Sequence, residues 1–239
     1  ILITLNFMKE MQNKIKEYFK ELQFDAQKHS YEVRGKPLTS VSKTIHKYVE
    51  KVDFDKIAGF IAKKRGITKA EVLAEWNAKK VASCNQGTSV HTFGENYFKG
   101  KEPTNGFEQA IVKFWDNIPE YIEPFLFELQ MFSETLGIAG TSDIILFNRK
   151  TGKFIIADYK TNEDLFKNYK GKTLLEPFSN LLDSPFNKYQ LQLSMYQLLF
   201  EQCGYEVESR RIIWLKPNGV YENFKTEDLT QELLKELTK

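Results

Sequence analysis

Two aspartates and a lysine near the middle of the chain have the types and spacing for metal-dependent chemistry. Asp143 lies in one apolar segment, and Asp158 and Lys160 lie in the next, fifteen residues further along. Both segments have the composition of β-strands, and the loop between them is short enough for a hairpin. Because side chains alternate along a strand, Asp158 and Lys160 should share one face, with Tyr159 on the other.

Two carboxylates that converge repel each other, and a hard divalent cation relieves that repulsion. Mg²⁺ takes oxygen ligands in octahedral geometry and keeps several of its waters. We therefore expect Asp143, Asp158 and the backbone carbonyl of Tyr159 to bind Mg²⁺. Lys160 would then orient the attacking water or stabilise charge on a phosphate. The alternative is a structural Asp–Lys pair on a half-exposed strand.

His91 and Glu95 add an imidazole and a carboxylate one helical turn apart, and hence on one helix face. Both side chains can reach a metal cluster or hold its water. Alternatively, His91 is a partly buried histidine near a helix N-terminus. His29 and His46 have no acidic neighbour at a useful spacing, and we assign no function to them.

A polar stripe lies on a strongly amphipathic helix predicted over residues 186–203. It consists of Lys188, Gln192 and Tyr196, which recur at a spacing of four residues. On a helix beside a carboxylate site, these side chains can contact phosphates and bases. The alternative places Tyr196 in the core and Gln192 on the surface.

Composition excludes several classes of protein. The 239 residues are 41% hydrophobic and 28% charged, as in a soluble globular protein. No apolar run approaches the ~20 residues of a membrane helix, and Ile1–Phe7, which precedes the expected natural start at Met8, is too short for a signal-peptide core. Cys84 and Cys203 cannot form a four-cysteine metal or iron–sulfur site, so we expect a reducing, cytoplasmic setting.

The charge is distributed unevenly along the chain. Residues 1–100 contain 18 Lys or Arg against 11 Asp or Glu, and residues 101–239 contain 16 against 21. This charge asymmetry suits a protein whose basic part binds a polyanion and whose acidic part supplies carboxylates to a metal. Ordinary solvated lysine faces would give the same counts. Among the aromatic residues of the basic part, Trp76 and Phe93 are available for base stacking, although core packing is the favoured interpretation of both.

The elements that would position these residues form an α/β (α+β) pattern: a central mixed β-sheet flanked by helices. We expect one domain over 1–239, with a mostly helical front over 1–120 and a β-β-β-α-β core over 121–239. Periodicity and capping signals predict helices over 8–22, 40–49, 54–65, 68–83, 87–97 and 106–117, a short hairpin over 24–36, and a terminal helix from Thr226.

Four short motifs, in this order, resemble those of the PD-(D/E)XK nuclease superfamily, and within it the RecB-like branch. They are Gly87–His91–Glu95, Gly140–Asp143, Asp158–Lys160–Thr161 and Gln192–Tyr196. The segment FDAQKHSYEVRGKPLTSVSKTI is similar to the N-terminal part of phage exonucleases and of the mitochondrial genome maintenance exonuclease group. The resemblance implies a restriction-endonuclease-like core and metal-dependent cleavage of DNA.

The resemblance also implies a role for each matched residue. Asp143 and Asp158 would bind Mg²⁺ or Mn²⁺ with His91, Lys160 would assist the attacking water, and Glu95 would support the site or a second metal. Gln192 and Tyr196 would position the DNA, with Lys188 beside them. Three further candidate positions are Glu128, Ser40 and Thr161. The chain departs from the iron–sulfur members of the branch, since it lacks their four cysteines.

The implied activity is that of an exonuclease on single-stranded or free-ended DNA in phage-type recombination, repair or processing. The setting would be the cytoplasm of a bacterial or phage-infected cell, without a membrane. Because no helicase motif is present, unwinding would come from a partner helicase, and a strand-annealing protein is a second candidate partner. The alternatives are a structure-selective endonuclease of the same fold, a catalytically silent DNA-binding subunit and a metal hydrolase of small phosphoesters.

Overall fold

A computed structural model of the chain describes the backbone of residues 2–239 and the side chains from residue 6 onward. Ile1, the first residue of the segment expected to precede the natural start, lies outside the described residues. The helices are α1 (Leu2–Tyr18), α2 (Val41–Ile45), α3 (Phe54–Arg65), α4 (Lys69–Asn96), α5 (Gly106–Asp116), α6 (Pro185–Glu201) and α7 (Thr230–Leu237). The strands are β1 (Leu22–Asp25), β2 (Ser30–Val33), β3 (Lys36–Ser40), β4 (Ile122–Ser133), β5 (Ile138–Asn148), β6 (Lys153–Lys160), β7 (Val207–Leu215) and β8 (Tyr221–Lys225).

The strands form one mixed sheet in the order β1-β2-β3-β5-β6-β7-β8, and β4 pairs with the second edge of β5. The β3–β5 and β6–β7 pairs are parallel, and the other pairs are antiparallel. The expected mixed sheet flanked by helices is therefore confirmed. So is the β-β-β-α-β order in the second half of the chain, where β4, β5 and β6 are followed by α6 and β7.

The sheet opens at the middle of β5. Along one edge, β4 pairs with β5 from end to end. Along the other edge, β6 pairs only with Ile144–Asn148, and β3 pairs only with Ile138 and Ala139. Gly140–Asp143 therefore have no ladder partner on that edge, which leaves a gap between β3 and β6 in the interior of the sheet.

Two apolar layers cover the two faces of the sheet. On one face, α6 and α1 pack against strand residues such as Ile156 and Ile212. On the other face, α5 and the second half of α4 pack against residues such as Ala157 and Ile213. The continuous apolar run of β6 has the burial expected of a strand covered on both faces, because its residues 154–159 are all buried. Burial on both faces gives the end of β6 a fixed position.

Local capping explains most helix starts. Thr68 and Glu71 form the predicted capping box of α4, in which each side chain bonds the other's backbone N–H. Ser40 accepts a hydrogen bond from the Lys43 backbone at the start of α2, also as expected. Helix α6 begins with Ser184 as its cap and proline at its first position.

Several elements differ from their predictions, among them α1, which covers Leu2–Tyr18 instead of 8–22. The helices predicted over 68–83 and 87–97 are one helix, α4, because glycine inside a helix costs only about 1 kcal/mol and no stop signal accompanies Gly87. Strand β3 is not expected from the sequence, since Pro37 argues against a strand, but it forms between β2 and β5, and Pro37 lies outside the two residues that pair with β5. The last helix begins at Thr230, four residues after the predicted start.

The first half of α4 and all of α3 form a helical hairpin with its own small core, centred on Ala58, Ala62 and Val72. Its outer surface carries exposed lysines and exposed aromatic rings, including Phe60 at 71% exposure. Across residues 2–239, no helix combines the length and apolar character that a membrane crossing requires.

Candidate metal centre

The two aspartates face each other where the sheet opens. The last paired residues of the β5–β6 ladder are Ile144 and Ala157, so Asp143 and Asp158 occupy the next facing positions. Facing residues of antiparallel strands point to the same side. The backbone N–H of Tyr159 donates to Asp143 Oδ2 at 3.1 Å. The Asp143 carboxylate thus occupies the place of a strand carbonyl, and the gap leaves room beside both acids for a third group.

His91 supplies that third group. Its Nδ1 lies 3.1 Å from Asp143 Oδ2, and ligand atoms of His91, Asp143 and Asp158 all lie within 4.8 Å of one another. The histidine comes from α4, which packs on the sheet through Val90 and Phe93. One imidazole nitrogen and carboxylate oxygens at this spacing suit a divalent cation such as Mg²⁺ or Mn²⁺.

The burial and hydrogen bonding of Asp158 test whether a cation fits the site. Its side chain is only 2% exposed, and its Oδ1 has no hydrogen-bond partner among the described residues. Burial, and then the charge of Asp143, raise the pKa of Asp158 to about 8. A buried carboxylate oxygen without a donor is costly, so a proton or a cation must satisfy it. The donor set therefore fits a cation.

Lys160 holds the opposite side of Asp158. Its Nζ donates to Asp158 Oδ2 at 2.8 Å and lies 4.2 Å from the ring centroid of Tyr189. That ring is fixed in turn, because its hydroxyl donates to Asn162 Oδ1 at 2.9 Å. Burial is the largest single influence and lowers the pKa of Lys160, but the charge of Asp158, together with Tyr189, Asp143 and the hydrogen bond to Asp158, outweighs it and holds that pKa above its usual value. The ammonium group therefore stays charged beside the carboxylates.

The pKa values of His91 and Asp143 move in opposite directions. Burial opposes the charged form of each, but their mutual attraction and hydrogen bond are stronger. The pKa of His91 is raised to about 9, and the pKa of Asp143 falls well below its usual range. Without a cation, the group therefore holds protons on His91 and Asp158 at neutral pH.

We expect the metal to stabilise the protein more strongly as pH rises from 6.5 to 9. The folded pKa values of Asp158 and His91, about 8 and about 9, exceed their unfolded values of 3.8 and 6.5. Protons thus bind the folded state more tightly, and without metal its stability falls as pH rises through this window. A cation must displace the same protons, so its apparent affinity rises over the same range.

The measurement is thermal unfolding at pH 6, 7, 8 and 9, with and without millimolar Mg²⁺ or Mn²⁺. The increase in unfolding temperature on adding metal should grow with pH in the wild type and be absent in Asp143→Asn. An increase that is the same at every pH would contradict this assignment of the protons.

A cleft of about 460 Å³ opens above the acids and gathers most of the predicted site residues. Its lining includes His91, Glu95, Glu128, Asp143, Asp158, Lys160, Gln192, Tyr196 and Ser40. Glu95 and Glu128 are exposed at the cleft wall. Glu128 has a φ of 49°, and partial desolvation together with the charge of Asp143 raises its pKa to about 7. These two acids lie beside the metal group rather than within it.

Helix α6 contributes Gln192 and Tyr196 to the floor of the cleft. Gln192 Nε2 donates to the Tyr196 hydroxyl at 3.1 Å, while its Oε1 is buried without a partner in the described part of the chain. A Cβ on Gly140 would lie 2.7 Å from Tyr196 Cε1, so a glycine is required for the tyrosine ring to lie against β5. Tyr196 is 4% exposed and thus combines core packing with a place at the cleft.

Three predicted residues, Lys188, Thr161 and Tyr159, lie outside the cleft lining. Lys188 borders a neighbouring recess, where its Nζ pairs with Asp183 Oδ1 at 2.9 Å. Thr161 follows the end of β6. The side chain of Tyr159 is buried on the far face, where its hydroxyl accepts from Trp115 Nε1 at 2.9 Å. The backbone N–H of Tyr159 points toward β5. The carbonyl of the same residue points to the same edge of β6, as it does for any strand residue.

The cleft also contains residues that sequence reasoning passed over. His29, to which we assigned no function, lines it together with Phe24 and Tyr31 from the β1–β2 hairpin. The sequence does not single out His29, because its place beside the acids arises only when the hairpin joins β5 through β3. Of the aromatics considered for stacking, Phe93 is fully buried, as favoured, and Trp76 packs in the small core of the α3–α4 hairpin.

We expect Gly94→Ala to weaken metal binding through the position of α4. A Cβ there would lie 2.5 Å from Cε2 of the Tyr159 ring, which is buried and anchored by Trp115. The ring cannot yield, so α4 must shift and carry His91 away from Asp143. Overpacking of this kind costs about 1–3 kcal/mol of stability. Because His91 would then be displaced as a ligand, metal titration by calorimetry should show an affinity weaker by on the order of tenfold, which corresponds to about 1.4 kcal/mol of binding free energy.

Gly87→Ala is the matched control in the same helix. A Cβ at Gly87 meets nothing within 4 Å, so the substitution should stabilise the helix by about 1 kcal/mol and leave metal affinity unchanged. If Gly94→Ala bound metal as tightly as Gly87→Ala, the close contact would not position His91.

Comparisons with known proteins leave the family open. No protein-family model and no curated protein matches the sequence. A solved structure described as "Crystal structure of SSO0001" is similar to the chain over 98% of its length and 85% of the other chain, with 14% identity and a TM-score of 0.34. A likeness at that TM-score supports no conclusion about fold or activity, so function must be argued from the site itself.

Proposed function

We propose that this protein is a metal-dependent deoxyribonuclease that hydrolyses phosphodiester bonds of single-stranded or free-ended DNA, acting as an exonuclease. The observation that carries the proposal is the convergence of His91, Asp143 and Asp158 within 4.8 Å, with the Lys160 ammonium 2.8 Å from Asp158. The family resemblance of the motifs points to the same chemistry. A divalent cation held there supplies charge stabilisation on the phosphate and a water with a lowered pKa.

The side chains around the metal group would then have separate roles in the reaction. Lys160 places a fixed positive charge where negative charge develops on the phosphate, in a largely buried setting that strengthens its effect. His91, which pairs with Asp143 in the absence of a cation, would join it as a ligand when the cation binds. Gln192 offers an amide oxygen that has no partner among the described side chains, and Tyr196 offers a hydroxyl at the cleft floor; both groups can orient the strand.

A polymeric substrate is favoured over a small phosphoester by the surroundings of the site. The cleft is open, and the α3–α4 hairpin carries an excess of lysines, including Lys63, Lys64 and Lys80, all exposed. Such a surface attracts a phosphate backbone in a salt-dependent manner. Both cysteines are free, in keeping with the proposed cytoplasm of a bacterial or phage-infected cell. A helicase and a strand-annealing protein are the proposed partners.

The decisive experiment incubates the protein with a labelled linear strand and with a closed single-stranded circle, with Mg²⁺, with Mn²⁺ or with a chelator. Metal-dependent degradation of the linear strand alone supports the exonuclease. Cutting of the circle would favour the endonuclease alternative, and binding without cutting would favour a silent subunit. Hydrolysis of nitrophenyl phosphate esters without DNA cleavage would overturn the polymer assignment.

A further inference from the structure

Three aromatic rings of the β1–β2 hairpin lie over the same cleft as the metal group. We call Phe24, His29 and Tyr31 the ring platform. Phe24 stacks on Tyr31, with centroids 4.7 Å apart and planes inclined by 28°. His29 meets Phe24 edge-on at 5.4 Å. A contiguous aromatic group within a site lined by carboxylates calls for an explanation, because the rest of that lining is largely polar.

The platform is fixed to the strand that carries a metal ligand. Tyr31 is 4% exposed, and its hydroxyl shares a hydrogen bond of 3.1 Å with Thr141 Oγ1. Thr141 lies in β5, two residues before Asp143. The ring of Phe24 rests on Tyr31, so its position is set by the same contact. The distance between the platform and the metal group is therefore defined by the sheet rather than by a mobile loop.

His29 is held at the exposed end of the platform by an unusual backbone. Its φ is 48°, in the left-handed region that glycine adopts without cost and histidine adopts rarely. The turn itself is ordered, because Asp25 Oδ1 accepts from the backbone N–H groups of Gln27 at 2.9 Å and Lys28 at 3.0 Å. The His29 ring is exposed, so core packing does not account for a strained residue at this place.

Flat faces of this kind suit a nucleobase. Every base offers a π-face, and stacking on aromatic side chains is tolerant of sequence. Inside a duplex, both faces of a base are covered by its stacked neighbours, so an interior paired base cannot stack on a protein ring. The cleft thus combines a group that suits a phosphate with rings that suit the base attached to it.

We propose that the ring platform stacks on an unpaired nucleobase next to the phosphate held at the metal group, and thereby selects single-stranded over duplex nucleic acid. This inference rests on the proposed nuclease function, which it sharpens by naming the feature of the substrate that is read. His29 and Phe24 touch the base, and Tyr31 is a positioning residue that holds Phe24 against β5.

The test measures affinity separately from cleavage. The full-length Asp158→Asn protein binds a fluorescent single strand and a blunt duplex, followed by fluorescence anisotropy. Adding His29→Ala should weaken binding of the single strand on the order of tenfold and leave the duplex unchanged. His29→Phe should restore it. Tyr169→Ala removes an aromatic ring that is 67% exposed and not part of the cleft lining, and should change neither affinity.

A second measurement locates the base. Single strands with one abasic residue at successive positions should bind about tenfold more weakly at one position, and the His29→Ala protein should show no further loss there. Equal weakening for single strand and duplex, or losses from the abasic residue and His29→Ala that multiply, would overturn the inference. Unfolding temperatures of all variants exclude misfolding as the cause.

The two proposals fail separately. If the wild type cuts no DNA but the abasic and His29→Ala losses coincide, the nuclease function is wrong and the stacking inference stands. If the wild type cuts DNA and His29→Ala changes neither affinity nor the preference for single strands, the platform has no role in recognition.

Discussion

Replacing Asp158 with asparagine is expected to lower DNA cleavage by at least about 10³-fold while leaving the fold intact. The loss follows from removing one of the converging ligands, because metal-ion catalysis supplies several kcal/mol and each 1.36 kcal/mol is tenfold in rate. The fold should persist because the pKa of Asp158 is about 8, so the folded protein already holds this group neutral at pH 7. The amide oxygen of asparagine can still accept from Lys160.

The measurement pairs cleavage rates with denaturant unfolding at pH 7, where the free energy of unfolding should stay within about 1 kcal/mol of the wild type. Asp183→Asn is a close control, because Asp183 also pairs with a lysine, Lys188, at 2.9 Å, but lies outside the metal group. It should keep most of the activity. Full activity in Asp158→Asn would remove the basis of the metal assignment.

Lys160→Met should lower the cleavage rate about 10²–10³-fold, as expected for loss of a preorganised charge at the reacting group. The thioether side chain keeps most of the packing against Tyr189 but removes the cation that lies 2.8 Å from Asp158. Without that cation, the pKa of Asp158 should rise further, and metal binding at pH 7 should weaken. Higher metal concentration should then restore occupancy without restoring the rate.

Cleavage rates measured across a metal titration separate these two effects. Lys153→Met is the matched control: Lys153 begins the same strand, and its ion pair with Glu206 at 2.6 Å lies at the opposite end of β6 from the site. It should leave both the rate and the metal dependence unchanged. If the Lys160→Met protein reached the wild-type rate at saturating metal, Lys160 would act only by positioning Asp158 for metal binding and not on the reacting phosphate.

The arrangement of the acids could be predicted from the sequence because it depends on local rules. The alternation of side chains along a strand places Asp158 and Lys160 together, and a short hairpin loop brings Asp143 to the facing strand. Capping residues such as Thr68 and Ser40 marked helix starts for the same reason, since they act on backbone groups within a few residues.

Features that depend on distant parts of the chain could not be predicted. Strand β3 exists because β2 and β5 offer it edges, not because its five residues favour a strand. The place of His29 in the cleft follows from that same pairing. The continuity of α4 through Gly87 has another origin: a single glycine weakens a helix locally, but the residues on both sides sustain it.

The opening of the sheet at Gly140–Asp143 has a spectroscopic consequence. The amide of Tyr159 donates to the Asp143 carboxylate instead of to a strand carbonyl, so its proton senses the charge on that oxygen directly. The chemical shift of this amide proton should change when the Asp143 carboxylate exchanges its imidazolium partner for a metal ion. The chemical shifts of the amides in the regular β5–β6 ladder should not change. The amide proton of Tyr159 therefore reports whether a metal ion is bound at the site.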